Sequence, residues 1–264
     1  MLIYIIQLNI IKLKYFFKKM TKISQAFIFA AGRGQRMRPF TDTTPKPLAK
    51  IAGQAMLGRI IDKVKKVNSI NNIIVNGHYL AEQIDGFIQE RNDPAITLSL
   101  ESQKLETGGG LVFAANNGEF DLEQPILLIN GDILWQEEGD VNEIEKIFDF
   151  YQQNDCDIAL GLKKTDQVFG YHGNGDFNLQ PDYSLLKDPQ EESVHSHVFI
   201  GLQVINPKIL SRAPSEFFSM SYFYNNFSNL SINIKGVELR SQFFHIGDEN
   251  SLQNTNKIFL NHER

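Results

Sequence analysis

Residues 27–38 read FIFAAGRGQRMR, and they decide the fold because an apolar segment typical of a buried β-strand runs into a basic loop with two glycines. Gly32 and Gly34 allow the backbone to approach phosphate oxygens that a Cβ would exclude, and the amides of such a loop attract anions. The sequence TPKPL follows at residues 44–48 and brings a lysine. Together the two motifs predict a site for a nucleoside triphosphate at the end of this strand.

Four side chains in these motifs could neutralise a polyphosphate: Arg33, Arg36, Arg38 and Lys46. Arginine binds phosphate oxygens as a bidentate fork, and lysine binds as a point charge. The common nucleotide-loop patterns do not fit, because Met37 stands at the third glycine of G-x-G-x-x-G and no Gly-Lys-Ser/Thr triplet follows. A basic surface loop is the alternative, and the pairing of two motifs favours the phosphate site.

The composition indicates a globular chain with small-molecule partners. Apolar residues make up 42% and charged residues 22% of the 264 residues, and the net charge of −5 gives no electrostatic reason to expect nucleic acid or an anionic membrane as a partner. The single cysteine, Cys156, excludes a disulfide within the chain, so we expect a cytoplasmic protein. Monomer and homodimer are both compatible with these numbers.

The first twenty residues, MLIYIIQLNIIKLKYFFKKM, differ in composition from the rest of the chain. They carry four lysines and no acidic residue, and Gln7 and Asn9 interrupt their apolar run. No cleavage site follows, and the uninterrupted run is too short to span a bilayer. We therefore predict an extension over residues 1–22 that arises from a mis-assigned start, with Met20 as the true start. A basic amphipathic membrane anchor is the alternative.

Strand-like segments alternate with amphipathic helical segments along the first part of the chain. Apolar runs at residues 26–30, 72–76, 96–100 and 125–130 have the pattern of strands, and stripes with helical spacing lie between and after them. This rhythm predicts an α/β protein with a three-layer α/β/α, Rossmann-like fold and a mixed, mostly parallel sheet, in one domain over residues 23–264. Shorter extended runs after Cys156 predict an extension of the sheet that covers the second substrate.

Asp132 ends the buried strand segment PILLINGD, residues 125–132. Ligands of open α/β sheets bind at the carboxyl ends of strands, so the sequence places this carboxylate beside the phosphate loop. A carboxylate there suits Mg²⁺, which bridges phosphate oxygens during phosphoryl-type transfer. A turn residue that only closes the strand is the alternative, and the upstream phosphate motif favours the metal ligand.

Three glycines follow Thr107 in the sequence LETGGG, residues 105–110, at the predicted start of a helix. An interior glycine costs a helix about 1 kcal/mol relative to alanine, so packing alone is a poor explanation for three of them. Free amides at a helix start attract anions and polar rings. We therefore predict close approach of the nucleotide to this turn, with a flexible hinge as the alternative.

The motifs together resemble those of the sugar-1-phosphate nucleotidyltransferases, and among these the bacterial N-acetylmuramate 1-phosphate uridylyltransferases. The phosphate loop, TPKPL and NGD belong to the superfamily at large, whereas LETGGG with HGNGDF at residues 172–177 indicates the muramate branch. FIGLQV at residues 199–204 also matches. The resemblance implies the nucleotide-diphospho-sugar transferase fold and transfer of a nucleotidyl group from UTP to a sugar 1-phosphate, with N-acetylmuramate 1-phosphate preferred, in peptidoglycan recycling.

The resemblance implies a role for each matching residue. Arg36 and Lys46 would stabilise the transition state, and Asp132 would hold Mg²⁺. The nucleotide would contact residues of the first loop and of the glycine turn: Ala31, Gly32, Gly34, Thr107, Gly108 and Gly109. The sugar would contact a second set: Asn130, Asp176, Phe199 and Gly201.

One position departs from the family pattern. The family usually has an aspartate before I/V-G-T, which completes its metal site, whereas this chain has His245 in the sequence FFHIGD. Imidazole shifts the metal preference from Mg²⁺ towards Mn²⁺, Co²⁺ or Zn²⁺, unless it only binds a metal-bound water. We therefore predict Asp132 and His245 as the metal-binding pair, and Asp248 as the cap of the following helix.

Two other functions are compatible with these motifs. The first is a mannose- or glucose-1-phosphate nucleotidyltransferase that uses GTP or another NTP. The second is an inactive sugar-nucleotide sensor, which His245 at the metal position would suggest. The presence of Arg36, Lys46 and Asp132 favours an active enzyme over the sensor.

Overall fold

The computed structural model describes residues 22–137, 139–187 and 193–262 of the chain. Its strands are β1 (Gln25–Phe29), β2 (Lys50–Ile51), β3 (Gln54–Ala55), β4 (Asn72–Gly77), β5 (Ile96–Leu100), β6 (Ile126–Asn130), β7 (Ile133–Gln136), β8 (Ile158–Lys164), β9 (Val168–Phe169), β10 (Asn178–Leu179), β11 (Leu185–Leu186), β12 (His197–Ile205), β13 (Ile234–Glu238) and β14 (Gln242–His245). Its α-helices are α1 (Met56–Lys65), α2 (Ala81–Arg91), α3 (Glu106–Asn116), α4 (Glu143–Gln153), α5 (Ser221–Asn226) and α6 (Glu249–His262).

The main sheet of the described residues has seven strands, in the order β13-β8-β12-β6-β1-β4-β5. β1 lies between β4 and β6 and is parallel to both, and two further pairs, β4 with β5 and β8 with β13, are also parallel. β12 runs antiparallel to its neighbours β6 and β8. The predicted mixed, mostly parallel sheet is therefore confirmed.

Alternate side chains of the central strands enter two separate cores. In β1, Ala26 and Ile28 belong to one apolar cluster and Phe27 to the other. The first cluster contains the buried faces of α1, α2 and α4, and the second contains Leu111 of α3 and Phe223 of α5. Because successive side chains of a strand point to opposite faces, helices cover both sides of the sheet. This is the predicted three-layer arrangement.

A smaller sheet places His245 beside the end of β6. It consists of β7, β14 and β9, with β14 in the middle. β7 begins directly after Asp132, and its first residue, Ile133, pairs with His245 at the end of β14. The amide of Ile246 also donates to the carbonyl oxygen of Asp132 (2.9 Å). Asp132 and His245, which are far apart in the sequence, therefore lie side by side.

The predicted extension over residues 1–22 lies outside the described residues, except for Lys22. In the described parts of the chain, every helix is too short or too polar to cross a membrane. The amphipathic anchor predicted as an alternative for the extension concerns residues outside this description.

Candidate active site

The carboxyl ends of β1, β4 and β6 open into a cavity of about 590 Å³, referred to below as the first cavity. Its wall contains the loop at residues 30–36, Lys46, the turn at residues 130–132, and Thr107 at the start of α3. This is the edge of the sheet at which α/β proteins bind ligands. The structure thus brings the phosphate loop, the TPKPL lysine and Asp132 into one cavity.

The phosphate loop owes its shape to a close contact between Gly34 and Lys46. Gly34 has a left-handed backbone with a φ of +63°, and a Cβ there would lie 2.9 Å from the Cβ of Lys46. The hydroxyl of Thr41 donates to the carbonyl oxygen of Gly34 (2.9 Å), and buried Met37 anchors the short 3₁₀ helix that follows. In contrast, a Cβ at Gly32 would meet nothing within 4 Å. A side chain at position 34 would therefore disturb the loop itself. Position 32 has room for a side chain, and glycine there leaves the loop backbone accessible.

Three of the four predicted cations line the first cavity: Arg33, Arg36 and Lys46. Arg38 does not share that role, because its Nε pairs with Oδ1 of Asp42 (3.0 Å) on the surface. Positions 36 and 38 are two residues apart on a tight 3₁₀ turn, so their side chains face different sides. The prediction that Arg38 contributes charge to the phosphate site is wrong for this reason.

Asp132 lies between Lys46 and His245. The Nζ of Lys46 is 2.7 Å from Oδ2 of Asp132, and the Nε2 of His245 is 3.9 Å from the same oxygen. Burial opposes ionisation of Asp132, but the Lys46 ammonium outweighs it and holds the pKa of Asp132 below its usual value. Burial lowers the pKa of His245 by more than the Asp132 carboxylate raises it. Asp132 is therefore ionised and His245 neutral at neutral pH.

These donors fit a divalent cation that one protein carboxylate holds. Mg²⁺ in phosphate chemistry is usually bound by one or two carboxylates together with waters and substrate phosphates. Asp132 supplies a carboxylate, and neutral His245 supplies a nitrogen lone pair. Within residues 22–137, 139–187 and 193–262, three His, Cys, Asp or Glu side chains do not come together at any one place. An ion at Asp132 would therefore take most of its ligands from substrate and water.

Asp248 begins α6 as its cap. Its Oδ1 accepts the amide N–H of Ser251 (2.8 Å), and the Ser251 hydroxyl oxygen accepts the amide N–H of Asp248 (3.0 Å). This reciprocal pair is a capping box. The hydrogen bonds from Ser251 also lower the pKa of Asp248. The predicted capping role is confirmed.

A second cavity of about 270 Å³ adjoins the first, and the two share Phe29, Thr107 and Asn130 in their walls. The second cavity also contains Asp176 and Phe199 from the predicted sugar set. Oδ2 of Asp176 accepts the amide N–H of Phe199 (2.8 Å), and burial raises the pKa of Asp176 despite this bond. The structure thus brings three of the four predicted sugar residues to one wall.

Gly201, the fourth, lies against Asn130. It has a φ of +75° at an irregularity in β12, and a Cβ there would lie 2.8 Å from the Cβ of Asn130. The absence of a side chain therefore makes room for Asn130, which lines both cavities. Contact of Gly201 itself with the sugar stays a prediction.

Residues 25–180 match the protein family described as Nucleotidyl transferase, and this stretch contains the phosphate loop, Lys46 and Asp132. The chain belongs to this family. The match ends before β12, so the nucleotidyl transferase has much of its second cavity outside the matched region.

Two relatives identify the branch of the family. The nucleotidyl transferase is 29% identical over 229 residues to the N-acetylmuramate alpha-1-phosphate uridylyltransferase of Caulobacter vibrioides, with 84% of this chain and 91% of the relative covered. It is 30% identical over 190 residues to the protein of the same name from Neisseria meningitidis serogroup B, with 70% of this chain and 76% of the relative covered. The predicted resemblance is confirmed, and the chain is an enzyme of the sugar-1-phosphate nucleotidyltransferase class.

A solved structure agrees with the fold. A putative glucose-1-phosphate thymidylyltransferase from Bacillus anthracis, crystallised with sucrose, matches at a TM-score of 0.72 and 16% identity. The match covers 89% of this nucleotidyl transferase and 94% of that chain. At this identity the likeness shows the fold alone.

Packing explains the glycine turn of the nucleotidyl transferase, which corrects the reasoning from the sequence. A Cβ at Gly108 would collide with the ring of Phe218, and a Cβ at Gly109 would collide with the carbonyl oxygen of Glu216. The amides of both glycines are not free, because they donate to the carbonyl oxygen of Phe218 (2.9 and 3.0 Å). Contact of these glycines with a nucleotide stays a prediction, and Thr107 is the residue of the turn that lines both cavities.

Asn76 and Glu101 form a buried pair that the sequence reasoning missed. Oδ1 of Asn76 accepts the amides of Ala30 (2.6 Å) and Ala31 (3.2 Å), and its Nδ2 donates to Oε1 of Glu101 (2.7 Å). Both side chains line the first cavity. Burial raises the pKa of Glu101, and the hydrogen bond from Asn76, which lowers this pKa, offsets only part of the rise. A signal was available, since both are polar residues at the carboxyl ends of apolar strands.

Proposed function

We propose that this nucleotidyl transferase transfers the uridylyl group of UTP to N-acetylmuramate 1-phosphate, giving the UDP-sugar and pyrophosphate. The proposal depends on one observation: a cavity lined by cations joins a second cavity at Phe29, Thr107 and Asn130. Such a pair suits two substrates whose phosphates meet at the junction. The names of the Caulobacter and Neisseria relatives support the choice of UTP and of the muramate sugar.

Both substrates are anions, so charge neutralisation and alignment are the main demands on the protein. In the proposed reaction an oxygen of the sugar phosphate attacks the α-phosphorus of UTP in line, while the bond from that phosphorus to the pyrophosphate oxygen breaks. Arg36 and Lys46 would offset the negative charge on the phosphates. A divalent cation held by Asp132 would add to this neutralisation when bound.

Lys46 is suited to this role because the fold fixes it. Its side chain is nearly buried, its stem packs against Gly34, and its ammonium donates to Asp132 (2.7 Å). A charge that is already in place needs no reorganisation during the reaction, which makes it more effective than a mobile one. Asn76 holds the start of the phosphate loop in the same way, through the amides of Ala30 and Ala31.

The reaction would return the muramate sugar to its UDP form in peptidoglycan recycling. We propose a cytoplasmic enzyme that acts as a monomer or homodimer and uses Mg²⁺, with Mn²⁺ and Co²⁺ as possible replacements because His245 lies beside Asp132.

Pyrophosphate release tests the proposal. We would measure it with UTP and with GTP, each against the 1-phosphates of N-acetylmuramate, N-acetylglucosamine, glucose and mannose. We expect the highest kcat/KM with UTP and N-acetylmuramate 1-phosphate, and loss of turnover on chelation of divalent metal. A clear preference for GTP with mannose 1-phosphate would replace the proposal by the guanylyltransferase alternative.

A further inference from the structure

Lys187 is the one lysine or arginine among the described residues in the wall of the second cavity. The rest of that wall is aromatic, hydroxyl or amide in character, apart from Asp176 and Met220. Gln203 and Tyr224 bond each other, with the hydroxyl oxygen of Tyr224 2.6 and 2.8 Å from Nε2 and Oε1 of Gln203. The neutral groups suit sugar hydroxyls and an amide, and the wall offers one positive charge.

A neutral partner holds the Lys187 ammonium at this wall. Its Nζ donates to Oδ1 of Asn225 (2.7 Å) and lies 5.8 Å from the centre of the Phe177 ring. Asn225 and Phe177 line the same cavity. An ammonium has three N–H donors, and an amide oxygen does not cancel its charge. Burial raises the pKa of Asp176 on the same wall, and the charge of Lys187 acts against that rise. Asn225 orients the ammonium without cancelling its charge, so the ammonium can still bind an anion of the substrate.

Lys187 lies apart from the cations that line the first cavity. Four cations already line the first cavity, where the phosphates would lie: Arg33, Arg36, Lys46 and Lys104. A further cation in the adjoining cavity indicates a second anionic group, on the part of the sugar remote from its phosphate.

We propose that Lys187 binds a carboxylate carried by the sugar and thereby selects an acidic sugar 1-phosphate over the neutral sugar with the same ring. This inference rests on the proposed function. N-acetylmuramate differs from N-acetylglucosamine by an ether-linked lactyl group, and the carboxylate of that group would be the anion. A hydrogen bond to a charged group changes kcat/KM by about 10- to 100-fold, and the exposure of Lys187 places the expected effect near 10-fold.

The test uses three acceptors with UTP: N-acetylmuramate 1-phosphate, the same compound with its carboxyl converted to a primary amide, and N-acetylglucosamine 1-phosphate. The proteins are wild type, Lys187→Gln, Lys187→Arg, and Lys208→Gln as a control. Lys208 is exposed, pairs with Glu123 (2.6 Å) and lies in neither cavity wall, so its replacement removes a charge without touching the site.

We expect Lys187→Gln to lose about 10-fold in kcat/KM with N-acetylmuramate 1-phosphate and to keep its activity with N-acetylglucosamine 1-phosphate, which also shows that the variant is folded. Lys187→Arg and Lys208→Gln should keep the wild-type preference. The kcat/KM of wild type should fall by a similar factor when the carboxyl of the acceptor is converted to the amide.

Equal losses with both sugars in Lys187→Gln, or no loss with either, would overturn the inference. Full wild-type activity with the amide acceptor would overturn it independently of any variant. Failure of the proposed function would look different, because wild type itself would then use neither sugar with UTP or would prefer N-acetylglucosamine 1-phosphate. That result would remove the inference together with the proposed substrate.

Discussion

The first cavity is built from short, contiguous stretches of sequence, whereas the second is assembled from side chains that lie far apart in the chain. Residues 29–36, 46–47 and 130–132 supply most of the wall of the first cavity. The wall of the second comes from scattered positions between 29 and 225. The first also carries several fixed cations, and the second is mostly neutral. We propose from this difference that a local motif sets the chemistry and that long-range packing sets the choice of sugar.

The largest expected effect belongs to Asp132→Asn in the first cavity. Loss of the carboxylate removes the proposed metal ligand, so kcat should fall on the order of 10³-fold with every sugar phosphate while the circular dichroism spectrum is unchanged. Asp149→Asn, an exposed position on α4, serves as the control and should behave as wild type. Unchanged turnover in Asp132→Asn would exclude the metal role, and a loss confined to one sugar would contradict the division between the cavities.

Gly34→Ala should have the next largest effect, because it affects the loop and Lys46 together. A left-handed alanine costs about 1–2 kcal/mol, and the added Cβ would also press on the Cβ of Lys46. Gly118→Ala is the matched control, since Gly118 has a φ of +70° but nothing within 4 Å of the position of its Cβ. Urea unfolding should show that both variants lose stability. Kinetics with UTP should show that only Gly34→Ala also has a higher KM and a lower kcat than wild type. Equal behaviour of the two variants would mean that the contact with Lys46 is unimportant.

Tyr224→Phe should produce a smaller effect that is confined to the second cavity. The change leaves the buried Gln203 amide without its partner, which costs about 1–3 kcal/mol of stability and should raise KM for the sugar phosphate. KM for UTP should not change. The exposed Tyr183→Phe is the control and should alter neither constant. An equal rise in both KM values would show that the two cavities do not act separately.

Sequence reasoning succeeded where the structure is determined locally. The predicted strands agree with β1, β4, β5 and β6 to within one residue at each end, because each is an apolar run closed by a polar or glycine turn. The caps and the phosphate loop are also local, and the role of Asp248 was predicted correctly. Arg38 was assigned wrongly because the direction of a side chain on a tight turn depends on backbone geometry that the sequence does not show.

The errors at the glycine turn have a long-range cause. Gly108 and Gly109 lack side chains because Phe218 and Glu216 occupy that space, and those residues lie about a hundred positions later in the chain. No pattern around residue 108 contains this information. The same limit applies to Lys187, which follows β11. It lines the second cavity because it lies beside α5, where its Nζ donates to Asn225.

The smallest expected effect, at Glu101, tests a part of the first cavity that does not follow from a motif. Because burial raises the pKa of Glu101, the folded state holds its proton more tightly than the unfolded chain does. Its contribution to stability is therefore complete below the unfolded pKa, about 4.3, and is lost as pH rises through the higher folded pKa. Glu101→Gln removes this titration. Urea unfolding should show that the free energy of unfolding of wild type falls relative to that of the variant as pH rises above about 4.3, since all other titrating groups are common to both. A wild type that instead gains stability relative to the variant as pH rises would mean that ionised Glu101 is favoured in the folded state, and that Asn76 outweighs burial at this pair.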